Sequence, residues 1–181
     1  MKGPATAELL ADLQRFSLRE GDFTLASGRQ SKWYLDARQV TYRGDCVETV
    51  GRAVLEAVED LAFDAVGGLT LGADPVALAV AACSGKRAFA VRKEAKGHGV
   101  RSGRMAGPIR EGDRVLVVDD AVTTGGSTLQ ALEAILEFGG VVVGAACLLD
   151  RGGELGAALD ERGIPFFPVL GAPDLGYEFG S

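Results

Sequence analysis

The stretch RVLVVDDAVTTGGSTLQALEAILEF, residues 114–138, decides the reading of the chain. Residues 115–118 are apolar at every position, the mark of a strand covered on both faces. Asp119 and Asp120 stand at its carboxyl end, and Thr123-Thr124-Gly125-Gly126-Ser127-Thr128 forms a tight polar turn. Leu129, Leu132, Ile135 and Leu136 then recur at helical spacing, which predicts a helix over 127–138. A strand that turns directly into a helix brings unpaired backbone N–H groups and the positive helix end to one point. Such a point holds a phosphate. Neither GxxxxGK(S/T) nor GxGxxG occurs, so the turn is neither of the two common nucleotide fingerprints. The acids ahead of it suit the vicinal hydroxyls of a sugar whose phosphate lies in the turn. A plainer alternative stays open: a strand-end acid pair followed by an ordinary Ser/Thr helix cap.

Working outward, further apolar runs at 65–69, 88–91, 141–149 and 166–170 predict buried strands. They alternate with helices at 74–84, 127–138 and 154–162. That alternation predicts a doubly wound α/β sheet, in which ligands bind beyond the carboxyl ends of the strands. Upstream, residues 5–16 and 45–61 read as amphipathic helices, and FTLASGRQSKWYLDAR as strand, turn at Ser27-Gly28, and strand. Two more strand ends carry candidate chemistry. After Leu69, Thr70-Leu71-Gly72-Ala73 turns into a helix with Asp74 expected as N-cap and Pro75 at the first helical position. After Leu149 comes Asp150-Arg151, and a planar guanidinium there suits bidentate capture of a carboxylate. The plainer reading makes Arg151 a surface residue paired with Asp150 or Glu154.

The net charge is -6, which argues against general binding of nucleic acid or a membrane surface. One window reverses that balance: from 87 to 110 lie seven basic residues (Arg87, Arg92, Lys93, Lys96, Arg101, Arg104, Arg110) and one acid. It includes RKEAKGHG, with the only histidine, His98, and leads into a glycine-rich connection of about 20 residues, long for a compact domain without a binding role. No apolar run approaches the ~20 residues of a membrane helix. The N-terminus carries acids where a signal peptide needs an apolar core. Cys46, Cys83 and Cys147 form no CxxC and lie in apolar or helical patterns, so they are expected to be reduced core thiols in the cytoplasm.

The run Asp119-Asp120-Ala121-Val122-Thr123-Thr124-Gly125-Gly126-Ser127 resembles the 5-phosphoribosyl 1-diphosphate (PRPP) signature of type I phosphoribosyltransferases. RKEAKGHG at 92–99 is similar to the catalytic loop of orotate phosphoribosyltransferases. FTLASGR, VGGLTLGADPVA and LLDRGG agree with that family, most closely with its actinobacterial members. The resemblance covers most of the chain. It implies one domain over 1–181, with a central, mostly parallel sheet flanked by helices and a small hood from the N-terminal segment (1–40) and the chain end. It also implies transfer of phosphoribose from PRPP to orotate, giving orotidine 5′-monophosphate and diphosphate in pyrimidine biosynthesis, by a homodimer using Mg²⁺ held mainly by PRPP and water.

By the same resemblance Lys96, Asp119 and Asp120 are catalytic. Arg92, Lys96 and His98 contact the diphosphate, and Lys93 reaches a partner subunit's site. Residues Asp119, Asp120, Ala121, Val122, Thr123, Thr124, Gly125, Gly126 and Ser127 hold PRPP, and Thr70, Leu71, Gly72 and Ala73 form a pyrophosphate loop. Thr123 and Arg151 meet orotate. Ala26 and Gly72 depart from relatives that carry Lys there. Two rivals are a transferase for a purine or uracil, against which Arg151 and the basic loop argue, and a non-catalytic nucleotide sensor, which would not need that loop.

Overall fold

The computed structural model describes residues 3–24, 30–95 and 103–180. The elements run α1 (Pro4–Asp12), β1 (Leu18–Thr24), β2 (Gln30–Leu35), α2 (Arg38–Thr41), α3 (Val47–Ala57), β3 (Ala65–Leu69), α4 (Ala73–Ser84), β4 (Arg87–Val91), β5 (Met105–Ala106), β6 (Arg114–Val122), α5 (Gly126–Phe138), β7 (Val141–Asp150), α6 (Leu155–Asp160) and β8 (Phe166–Gly171). Among the described residues, no helix is long and apolar enough to cross a membrane.

Six strands form one sheet in the order β5-β4-β3-β6-β7-β8, parallel throughout except for the short edge strand β5. The chain winds outward from β3 to β4 in one direction and from β6 through β7 to β8 in the other. The order therefore reverses between β3 and β6, and a crevice opens at their carboxyl ends. Every residue of β3 is buried, and Val115, Leu116, Val117 and Val118 of β6 are nearly inaccessible, as all-apolar runs require. One core layer packs α1, α3 and α4 on one face, including Leu9, Val50, Val54 and Val80. The other packs α5 and α6 on the opposite face through Leu132, Ile135, Leu155 and Leu159.

Several predicted boundaries move. β6 continues four residues beyond the expected 115–118, through both acids, because Asp119, Ala121 and Val122 keep the ladder with Cys147, Leu149 and Asp150 of β7. The predicted helix 5–16 ends as α1 at Asp12, and a π-helical turn, Leu13–Ser17, carries the chain into β1. Helix 45–61 shortens to Val47–Ala57, and 154–162 to Leu155–Asp160. β5, too short to announce itself by periodicity, was not expected. Cys46 and Cys147 are buried, but Cys83 is exposed near the end of α4, contrary to its expected core position.

β1 and β2 pair as an antiparallel ribbon that forms the hood. The chain end joins it: Trp33 of β2 stacks on Tyr177, with ring centroids 4.6 Å apart and planes 9° from parallel. The Tyr177 hydroxyl donates to Glu20 at 2.8 Å. The expected turn at Ser27-Gly28 and the Ala26 departure lie outside the described residues.

The start of α1 is satisfied from a distance. Gly3 caps it without a side chain, and Glu56 of α3 accepts instead from Ala5 N, Thr6 N and Thr6 Oγ1 at 2.9–3.0 Å. Burial alone would raise the Glu56 carboxyl, yet these three donors hold it below its ordinary value. Glu56→Ala is expected to destabilise the fold by roughly 1–2 kcal/mol, as for a lost helix cap. Urea denaturation measures this, and an unchanged midpoint would show that the cap contributes nothing.

Candidate active site

α5 begins at Gly126, one residue earlier than predicted. Gly125 precedes it at φ 79°, a left-handed conformation that a side chain would strain. No side chain caps this helix. The first N–H with an intrahelical acceptor is that of Leu129, which donates to Gly125 O, so those of Gly126, Ser127 and Thr128 point forward without one. Thr123, Thr124, Gly126 and Ser127 are exposed around this point. Thr128, expected among the hydroxyls of the turn, is instead buried and donates to Asp119 Oδ2 at 3.2 Å.

The two acids are not equivalent. Asp119 is 6% exposed and accepts from Thr128 and from Asp120 N at 3.0 Å. Burial, and then the charge of Asp120, push its carboxyl up to about 7. Asp120 is more open, and its Oδ1 accepts from Ala121 N at 2.8 Å. It lies against the turn after β3: a Cβ at Gly72 would stand 2.6 Å from Asp120 Oδ1. The Thr70-Leu71-Gly72-Ala73 turn and the acid pair thus face each other across the β3/β6 crevice.

That turn carries a cis peptide between Thr70 and Leu71, and Thr70 N donates to Val91 O at 2.9 Å. The expected cap does not form. Ala73 is the first residue of α4, Gly72 precedes it, and Asp74 sits one position inside with Pro75 next. Asp74 Oδ1 is buried without a hydrogen-bond partner among the described residues, and burial raises that carboxyl.

The basic window divides. Arg87 pairs bidentately with Asp113 at 2.7–2.8 Å, and so holds β4 to the start of β6 rather than serving a ligand. Arg92 and Arg104 close the base of the loop, with Arg92 N donating to Arg104 O at 2.8 Å and Arg104 Nε to Arg92 O at 3.0 Å. Gln130 of α5 donates to Lys93 O at 3.5 Å, which sets the exposed Lys93 beside the head of α5. Lys96 and His98 lie outside the described residues.

The other flank of the crevice brings Thr123 and Arg151 together. Arg151 N donates to Val122 O at 2.9 Å, and a Cβ at Gly153 would collide with the carbonyl of Thr123, so only glycine permits this approach. Arg151 is not the surface residue of the plainer reading. It is 7% exposed, and its guanidinium carbon lies 3.9 Å from the ring centroid of Trp33. Asp150 is engaged by Gly152 N, which donates to it at 2.9 Å. Trp33 and Tyr177 were not singled out from the sequence. Two consecutive aromatics in a hood strand, Trp33-Tyr34, were the available signal.

Among the described residues, no group of three or more His, Cys, Asp or Glu side chains could hold a metal. What the crevice offers a cation is carboxylate oxygen from Asp119 and Asp120. This donor set fits a hard divalent ion that takes its remaining ligands from substrate and water.

The reversing, mostly parallel sheet flanked by helices is the phosphoribosyltransferase fold, and the helix head, acid pair and second turn lie together at its crevice. A model of the phosphoribosyl transferase domain matches residues 49–161. Orotate phosphoribosyltransferase from Streptomyces coelicolor is 44% identical over 177 residues, covering 94% of this chain and 97% of the relative. That from Mycobacterium tuberculosis is 42% identical, covering 98% and 100%. A crystal structure of the M. tuberculosis enzyme in complex with PRPP superposes with a TM-score of 0.83 at 39% identity, covering 96% of this chain and all of that one. Adenine phosphoribosyltransferase from Thermoanaerobacter pseudethanolicus, 16% identical, shares the fold at 0.66, covering 90% of this chain and 99% of that one. The chain belongs to the orotate phosphoribosyltransferase family.

The Asp119 carboxyl binds its proton more tightly in the native chain than at its ordinary value of 3.8. Native protonation therefore exceeds unfolded protonation from about pH 4 to about 7, and this group lowers stability as pH rises through that window. Asp119→Asn should be more stable than the parent by a margin that grows across it, to at most ~4 kcal/mol. Urea titrations at both ends of the window test this, and a margin independent of pH would contradict it.

Proposed function

We propose that this chain transfers the 5-phosphoribosyl group from PRPP to orotate: the ribose C1–oxygen bond to diphosphate breaks, the orotate ring nitrogen loses its proton and bonds to C1, and diphosphate leaves with the electron pair of the broken bond. The carrying observation is the uncapped head of α5 beside Asp119 and Asp120. In this reading the 5′-phosphate sits on the N–H groups and hydroxyls of Thr123, Thr124, Gly125, Gly126 and Ser127, after Ala121 and Val122 bring the chain out of β6. Asp120, and Asp119 behind it, hold the ribose hydroxyls and favour the positive charge that develops on the ring. Thr70, Leu71, Gly72 and Ala73 receive the diphosphate on backbone groups. Mg²⁺, when bound, neutralises diphosphate charge and organises its oxygens. Arg92, Lys96, His98 and a partner's Lys93 add positive charge where the leaving group gains negative charge. Arg151 and Thr123 take the carboxylate and ring edge of orotate, which favours orotate over an uncharged base.

We assign the active form as a cytoplasmic homodimer with shared sites. Leu71 and Leu78, 66% and 64% exposed on the pyrophosphate turn and its helix, support a second copy covering this side.

Incubation with PRPP, Mg²⁺ and orotate is expected to consume orotate absorbance. Turnover of adenine or hypoxanthine with none of orotate would overturn the assignment. Lys96→Ala should lower kcat by roughly 10²–10³ without changing the melting temperature, and normal turnover would remove Lys96 from the mechanism.

If Lys93 acts across the dimer, Lys93→Ala and Arg151→Ala subunits, each strongly impaired alone at low orotate, should regain about a quarter of parental activity after being unfolded together and refolded. No recovery, despite hybrid dimers seen by native mass spectrometry, would return Lys93 to its own subunit.

A further inference from the structure

We propose that Trp33, held by Tyr177, is a positioning residue that sets the plane of the Arg151 guanidinium and thereby the affinity for orotate. The inference rests on the reading that Arg151 meets the orotate carboxylate, and it adds the group that aims it. Three layers stack in order. Tyr177 lies outermost, tied through its hydroxyl to Glu20 on β1. Trp33 comes next, 1% exposed and nearly parallel to Tyr177. The Arg151 guanidinium lies over the indole at 3.9 Å. The Arg151 main chain is held independently, since its N–H donates to Val122 O and its carbonyl accepts from Gly180 N at 2.7 Å. Backbone and side chain thus have different contacts: Val122 and Gly180 hold one, and Trp33 with Tyr177 behind it packs against the other.

A guanidinium binds a carboxylate with two parallel N–H bonds only when the groups are close to coplanar. Its long side chain has many rotamers, and ordering them on binding weakens affinity. An indole face beneath the cation favours one plane for the guanidinium, and so one direction for its N–H edge. Removing the indole leaves the charge in place but releases its aim. The loss should therefore fall on orotate and spare PRPP, whose proposed contacts lie on α5 and the turn after β3.

Steady-state kinetics with each substrate varied separately test this. Trp33→Leu is expected to raise KM for orotate roughly ten-fold and leave KM for PRPP within about two-fold, and Trp33→Phe should recover most of the loss. Because Trp33 is buried, Tyr177→Leu provides a second variant: it removes the outer layer and should raise KM for orotate by a smaller factor, while Tyr177→Phe behaves like the parent. An equal rise in both KM values, or an unchanged orotate KM in folded Trp33→Leu or Tyr177→Leu, overturns the positioning role. Arg151→Ala separates the two levels. If it raises orotate KM while the aromatic variants do not, only the positioning role is lost; if it leaves orotate KM unchanged, the base assignment fails, and the inference with it.

Discussion

The arrangement depends on one electrostatic juxtaposition: unpaired amides at the head of α5 stand directly beside two carboxylates at the end of β6. Amides and a helix dipole attract anions, and adjacent acids repel them. The conflict is resolved by separating the charges in depth. Asp119 is drawn inward onto Thr128 and Asp120 N, while Asp120 is turned toward Gly72. The outward face of the turn is left to Thr123, Thr124 and Ser127. A phosphate can settle there without meeting the buried acid, and a sugar extending from it passes the open one.

Sheet topology makes this juxtaposition a crevice rather than a bump. Because the strand order reverses between β3 and β6, the loops after these strands part and face each other. The hood roofs the far side, and the chain end ties it down through the Trp33–Tyr177 stack and the Gly180–Arg151 hydrogen bond.

Much of this was legible in the residues, for identifiable reasons. Uniformly apolar runs at 65–69 and 115–118 leave no option but doubly covered strands, so the sheet and the positions of its terminal loops followed directly. Glycines beside hydroxyls at 123–127 announced the open turn and the uncapped start of α5. What escaped was set by tertiary partners. Asp74 reads as a cap by local spacing, but the turn after Thr70 moves the cap two residues earlier, to Gly72, and buries that carboxyl instead. Arg87 reads as part of a cationic window until Asp113, 26 positions away, claims it. Arg151 reads as a surface charge because its true neighbour, Trp33, is remote in sequence and contributes a ring face, which leaves no periodic trace.

The contacts around Arg151 and those around α5 share almost no residues. In the proposed reading, sugar phosphate is gripped by backbone groups on one βα unit, whereas the base is read by a side chain on the next strand, aimed by aromatics from the hood. Such a division of labour lets selection exchange what the hood and the end of β7 present without disturbing the grip on the activated ribose. A single ancestral scaffold could thus diversify its choice of heterocycle while its handling of the common donor stayed intact.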